Sequence, residues 1–158
     1  MSEIMSDVGT ASYPNGLPAP GRDGILALEA AMAALPAEMQ IDPTLGLTHY
    51  FAPGLYARRL DRKAGTTIVG KIHKHDNLAM VLYGEMTIVD EDGSRRVIGP
   101  HVFVSKAGTK RATYAHTDAA FIVFHPTSET DVDKIEEEVI ASSFEAFDEF
   151  RRDKLCHG

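Results

Sequence analysis

Apolar positions recur along this chain in three successive textures. In DGILALEAAMAALPAEM an acidic start precedes Ile25, Leu28, Met32 and Leu35 at helical spacing, up to Pro36, which predicts one short amphipathic helix. Between Thr48 and Phe124 the pattern changes to short β-branched and aromatic runs cut by turn signals, among them TTIVGKI, AMVLYGEMTIVDEDG, HVFVSKAG and AFIVFH. Seven or eight such runs at short intervals predict a closed barrel or jelly roll rather than a βαβ sheet. Asp90-Glu91-Asp92-Gly93 has the chemistry of a hairpin turn, with Gly93 free to take the left-handed conformation, so the middle of the chain is read as antiparallel. After His125-Pro126 the period returns to helical. Thr130 or Asp131 caps DVDKIEEEVIA, with Val132, Ile135, Val139 and Ile140 on one face and Glu136 to Glu138 on the other. Ser142 or Ser143 then caps FEAFDEFRRDKL, whose Phe144, Phe147 and Phe150 form a stripe expected to pack on the barrel or on a second subunit.

The fold class expected is therefore mainly β, a single jelly-roll barrel with an N-terminal helix and one or two C-terminal helices. Residues 1–22 lack a periodic apolar pattern and read as a flexible arm or extended strap. Residues 23–158 form the single domain, with the barrel at about 48–125 and the C-terminal helices at about 130–155. A length of 158 residues suits one such domain.

Charge narrows the partners. Sixteen Lys and Arg against 23 Asp and Glu leave a formal charge of −7, which repels phosphate backbones and anionic lipid surfaces. No run approaches the ~20 apolar residues of a bilayer span, and the polar start has no signal-peptide pattern, so a soluble, cytoplasmic protein is expected. The single cysteine, Cys156, excludes an intramolecular disulfide.

Among the seven histidines, at 49, 73, 75, 101, 116, 125 and 157, only His73 and His75 have ligand-like spacing. On a strand, residues i and i+2 share a face, so His73-Lys74-His75 puts two imidazoles within reach of one divalent ion. Bare His-x-His also describes two polar residues at a strand end.

The stretch GTTIVGKIHKHDNLAMVLYGEMTI resembles the first signature of the cupin superfamily, with Gly65, His73, His75 and Gly84 in register. GPHVFVSKAGTKRATYAH resembles the second, with Gly99 and Gly108 in place. The span from THYFAPG to ETDVDKIEEE is also similar to cupin-like proteins of tailed bacteriophages and prophages. Two positions depart from the pattern. Counting seven back from Gly84, the family glutamate falls on Asn77; counting three on from Gly108, the last family histidine falls on Arg111. Asn77 lacks the carboxylate's charge, and Arg111 is a cation.

The resemblance carries over two of the usual four metal ligands, His73 and His75; Asn77 and His125, which ends the strand AFIVFH, are expected to complete the shell. The metal would be zinc, iron, nickel or manganese. Arg111 would then clamp the carboxylate or phosphate of a small anionic molecule. Tyr83 and Glu85, beside Gly84, are the acid–base candidates, and Lys106, Lys110 and Arg111 form a basic cluster. Oxygenase, isomerase and lyase chemistry all remain open on so versatile a fold. The alternative is a metal-free, non-catalytic cupin acting in ligand binding or assembly. Exposed sheet edges and the phenylalanine stripe suggest a homodimer.

Overall fold

The computed structural model describes residues 12–13, 17–42 and 44–157. Its elements run β1 (Ser12–Tyr13), β2 (Leu17–Pro18), α1 (Arg22–Ala33), a 3-10 turn (Ala37–Met39), β3 (Leu47–Ala52), β4 (Leu55–Arg62), β5 (Thr67–Val69) and β6 (Ile72–His73). They continue with β7 (Asn77–Tyr83), β8 (Glu85–Val89), β9 (Ser94–Ile98), β10 (His101–Ser105), β11 (Ala112–Ala115) and β12 (Ala119–Pro126). The chain closes with α2 (Val132–Val139), β13 (Ile140–Ala141) and α3 (Phe144–His157).

Two antiparallel sheets carry the fold, one ordered β10-β7-β12-β4-β3 and the other β5-β11-β8-β9. Leaving aside β3, which joins by a hairpin with β4, and β6, which pairs with β13, eight strands from β4 to β12 are divided between the two sheets. First lies beside eighth and third beside sixth in one sheet; second lies beside seventh and fourth beside fifth in the other. That order is the jelly roll. The Asp90–Gly93 turn forms as the sequence predicts: Asp90 N donates to the Gly93 carbonyl at 3.0 Å, and Gly93 has a positive φ.

Strand alternation sorts the side chains. Val81, Met86, Ile88, Val97, Ala115 and Ala119 meet between the sheets with Phe103 and Phe121 packed against them, an apolar cluster toward one end of the barrel into which the Arg62 guanidinium reaches at Met86. Val89 and Ala112 face outward from the smaller sheet and are covered by Leu17, Ile25 and Leu28, so α1 roofs that sheet. Its N-terminus falls at Arg22, after Gly21 and without a side-chain cap, rather than on an acidic cap. Of the segment 1–22, residues 1–11 and 14–16 lie outside the described residues, while Leu17 is fully buried beneath α1. There the chain runs as a strap.

The C-terminal helices start where side-chain caps allow. Asp131 accepts from the backbone N–H groups of Asp133 and Lys134, and Ser143 Oγ accepts from Ala146 N–H at 3.0 Å. Phe144 and Phe147 are buried with Ile72 and Ala141, which settles the stripe in favour of the barrel. Phe147 lies so close to Gly108 that a Cβ built there would be 2.4 Å from its ring, and this contact requires glycine. Burying one such phenylalanine contributes about 2 kcal/mol. The C-terminal segment is also tied to the barrel by β13, which pairs antiparallel with β6 at Ile140–His73 and Ala141–Ile72.

Candidate functional site

The inner face of the five-stranded sheet changes character along its length. Its register aligns Ser105 with Asn77, and His125 with Tyr56, so one end of the barrel is lined with polar groups while the other holds the apolar cluster. His73 reaches this polar end from β6. Its Nδ1 lies 3.0 Å from the Asn77 amide nitrogen, and its ring meets His125 edge to face with centroids 5.0 Å apart. Tyr56 stacks on His125 at 6.3 Å and shares a 2.7 Å hydrogen bond with His49 Nδ1. Arg111 enters from the smaller sheet, where its Nη1 donates to Ser105 Oγ at 2.8 Å. Arg58 lies on β4, two residues from Tyr56 and on the same face.

Burial and neighbouring cations govern the chemistry here. Desolvation pulls the His73 pKa down to about 3, helped by His125, Arg111 and Arg58, so this imidazole is neutral. His125 is lowered to about 4, again first by burial and then by His75 and Arg58. Burial also lowers Arg111 and raises Tyr56. Glu138 is the single carboxylate among the described residues that opposes the shift at His125. Two orphaned atoms mark the site, since Asn77 Oδ1 and Arg111 Nε are buried without a hydrogen-bond partner.

Four of the residues singled out from sequence, His73, Asn77, His125 and Arg111, come together here. His75 lies near enough to help lower the His125 pKa, but its ring packs elsewhere. It turns to the C-terminal helix, where its ring meets Phe150 edge to face at 5.4 Å, and burial together with Lys154 and Lys74 lowers its pKa. The strand that would have put both imidazoles on one face ends at His73, so the i, i+2 rule no longer applies at His75. Tyr83 stands at the far end of β7 from Asn77, 44% exposed, and its hydroxyl donates to Asp61 Oδ1 at 2.8 Å. Glu85 is paired with Arg96 at 2.5 Å. The basic cluster divides three ways: Lys106 pairs with Asp76, Lys110 reaches back to Glu29 on α1, and Arg111 alone points inward. His116 shares a 2.7 Å hydrogen bond with Thr87, and His101 packs beside Phe103 toward the apolar end.

Sequence reasoning missed Tyr56, Arg58 and Ser105. The alternation in LYARRLDR was the available signal for the first two, since it places Tyr56 and Arg58 on one side of a strand. Nothing local to Ser105 distinguishes it; only the cross-strand register does.

A divalent metal does not fit the side chains as they are arranged. Among the described residues no three His, Cys, Asp or Glu side chains gather to hold an ion. His73 and His125 have the neutral Asn77 amide for company and two guanidiniums bearing on them, and the carboxylates nearest the group, Glu138 and Asp90, act on His125 and Arg111 without gathering into a ligand set. The same set suits an anion.

The sequence matches no family model and no curated protein. Fold comparison finds similarity to solved structures, proteins described as cupins among them. One is the structure of KdgF from Halomonas sp., 20% identical, TM-score 0.46, covering 59% of this chain and 90% of that one. A cupin-2 domain protein from Shewanella frigidimarina is 10% identical, TM-score 0.44, with 55% and 85% covered. An RmlC-like cupin family protein with a double-stranded β-helix fold, from Methanocaldococcus jannaschii, is 10% identical, TM-score 0.43, with 56% and 88% covered. The strand order given above is by itself that of a jelly-roll barrel. No helix among the described residues is long and apolar enough to cross a membrane.

Proposed function

We propose that this chain is a cupin-fold binding protein for a small anion, a carboxylate or phosphate held at the polar end of the barrel by Arg111 and Arg58 beside His73 and His125. One observation carries the reading: two buried, neutral imidazoles are flanked by two guanidiniums, inside a protein whose overall charge is −7. The acidic exterior disfavours polyanions such as nucleic acid, while a small ligand buried at this end meets positive potential. Guanidiniums match carboxylate and phosphate oxygens bidentately, at about 1.5–3 kcal/mol for each charged hydrogen bond. Calorimetric titration with butyrate and with inorganic phosphate tests this. Arg111→Met or Arg58→Met is expected to weaken binding by tenfold or more, and indifference of the wild type to both probes would refute the reading.

A metal-bound alternative needs these side chains to rearrange, and the orphaned Asn77 Oδ1 is the donor that would support it. It requires the amide to present that oxygen together with His73 and His125. Elemental analysis of untagged protein decides it. Metal present at near one equivalent and lost in His73→Ala supports it; absent metal that cannot be added back removes it. The likeness to phage and prophage cupins rests on sequence alone.

We assign the proposed homodimer to the outer face of the five-stranded sheet. Register aligns Val104, Leu78, Phe124, Ala57 and Tyr50 in one row across all five strands. Val104, Val102, Tyr50, Leu78 and Leu55 are 41–56% exposed, and hollows of about 350 and 550 Å³ lie along this face. Its Arg59–Asp61 ion pair is internally neutral, so two acidic copies can meet there without opposing charge. The five side chains alone expose roughly 400 Å², about half of what one partner of a standard interface buries.

A further inference from the structure

Arg62 is an inward guanidinium that neither sheet neutralises. It follows Arg58 and Leu60 on the inner side of β4 and is 9% exposed. Its Nη1 donates to Thr113 Oγ1 at 2.6 Å and its Nη2 reaches Met86 Sδ at 3.4 Å, while Nε has no partner. Its partners among the described residues are thus a hydroxyl and a thioether, with no carboxylate. Burial lowers its pKa to about 10, so it keeps its full charge at neutral pH. A buried charge with neutral partners is costly, and removing it in favour of an apolar side chain is often stabilising.

Position gives the charge a use. Thr113, which receives Arg62, lies on β11 two residues beyond Arg111, which immediately precedes that strand. Both guanidiniums leave a buried Nε without a hydrogen-bond partner, Arg62 with no carboxylate near it among the described residues and Arg111 with Asp90 Oδ2 at 3.7 Å. Counting inward charges, Arg95 is matched by Asp90 at 3.0 Å, whereas Arg58 and Arg62 have no acidic partner among the described residues and Arg111 has Asp90 only at 3.7 Å.

We propose that the barrel's ligand is a dianion, one acidic group bound at Arg111 and Arg58 and the second at Arg62, whose unpaired Nε–H is the donor that awaits it. This rests on the anion reading above. It makes the ligand a short molecule with two acidic ends, and it makes Arg62 the residue that distinguishes such a molecule from a monoacid.

The test is calorimetric titration of the full chain with butyrate and with malonate, succinate, glutarate and adipate. At least one diacid is expected to bind tenfold or more tightly than butyrate. Arg62→Met is expected to erase that advantage and leave butyrate binding within twofold of wild type. Should Arg62→Met fail to fold, Arg62→Gln, which keeps a donor for Thr113, is read in the same way. Diacids binding no better than butyrate, or an advantage that survives loss of the Arg62 charge, would overturn the second site while leaving the anion site intact. Failure of every probe, butyrate included, would overturn both.

Discussion

Lowering the pH from 7 to 5 should cost this protein several kcal/mol of stability, and most of that loss should trace to two imidazoles. His73 and His125 have folded-state pKa values of about 3 and about 4, below the ~6.5 of an unfolded histidine. As pH falls through 6.5, the unfolded chain takes up protons that the folded state refuses, so stability declines until the folded imidazoles protonate in their turn. At pH 5 each site favours the unfolded chain by about 2 kcal/mol, against a few tenths at pH 7. Together they remove about 4 kcal/mol from a total that is typically 5–15. The window is selective, because Asp61, Asp76, Asp118, Glu85 and Glu129 have carboxyl pKa values held below their ordinary range by hydrogen bonds. Their stabilisation is present above the unfolded carboxylate pKa and is lost only at lower pH. His75 and His116 shift in the same direction with less burial, so a residual slope remains without the central pair. The assay is urea unfolding at pH 7, 6 and 5, in chloride salts free of carboxylate and phosphate, for wild type and His73→Gln/His125→Gln. A wild-type stability that stays flat across this range, or a slope untouched in the double variant, would refute the placement of neutral imidazoles at the buried end.

Three further outcomes follow from the geometry. Gly84 has φ +84°, and a Cβ there would sit 2.3 Å from the Asp118 carbonyl oxygen, so Gly84→Ala should destabilise by about 2–4 kcal/mol in urea unfolding. Asp131→Ala removes the cap that serves two backbone N–H groups of α2 and should cost about 1 kcal/mol, seen as a lower melting temperature with ligand binding retained. Val104→Lys places a charge in the exposed apolar row; sedimentation should show dimer converted to monomer, whereas a wild type that is monomeric at high concentration removes the sheet-face interface.

Most of the fold was legible because its signals are local. The β-branched runs, the Asp90–Gly93 turn and the serine and aspartate caps act within a few residues, and each forms where the pattern puts it. The site was legible only in part. His73, Asn77, His125 and Arg111 were found, but which of them meet depends on pairing between strands far apart in sequence. His75 shows the difference: its spacing from His73 promised a shared face, and the end of β6 together with Phe150 on the last helix took it elsewhere. Arg62 reads in sequence as one more charge in RRLDRK. Only the closure of the barrel shows that it points inward without an acidic neighbour.

The pairing of β13 with β6 makes the last part of the chain a clasp on the strand that carries His73, reinforced where Lys74 N–H donates to the Val139 carbonyl at 2.8 Å. Few bonds hold it, so it should open and close more readily than the jelly roll beneath it. Amide exchange at Ile72, His73 and Ile140 then becomes a local gauge of the barrel end: a ligand seated there slows exchange at these amides first, while the strands of the apolar end keep their rates.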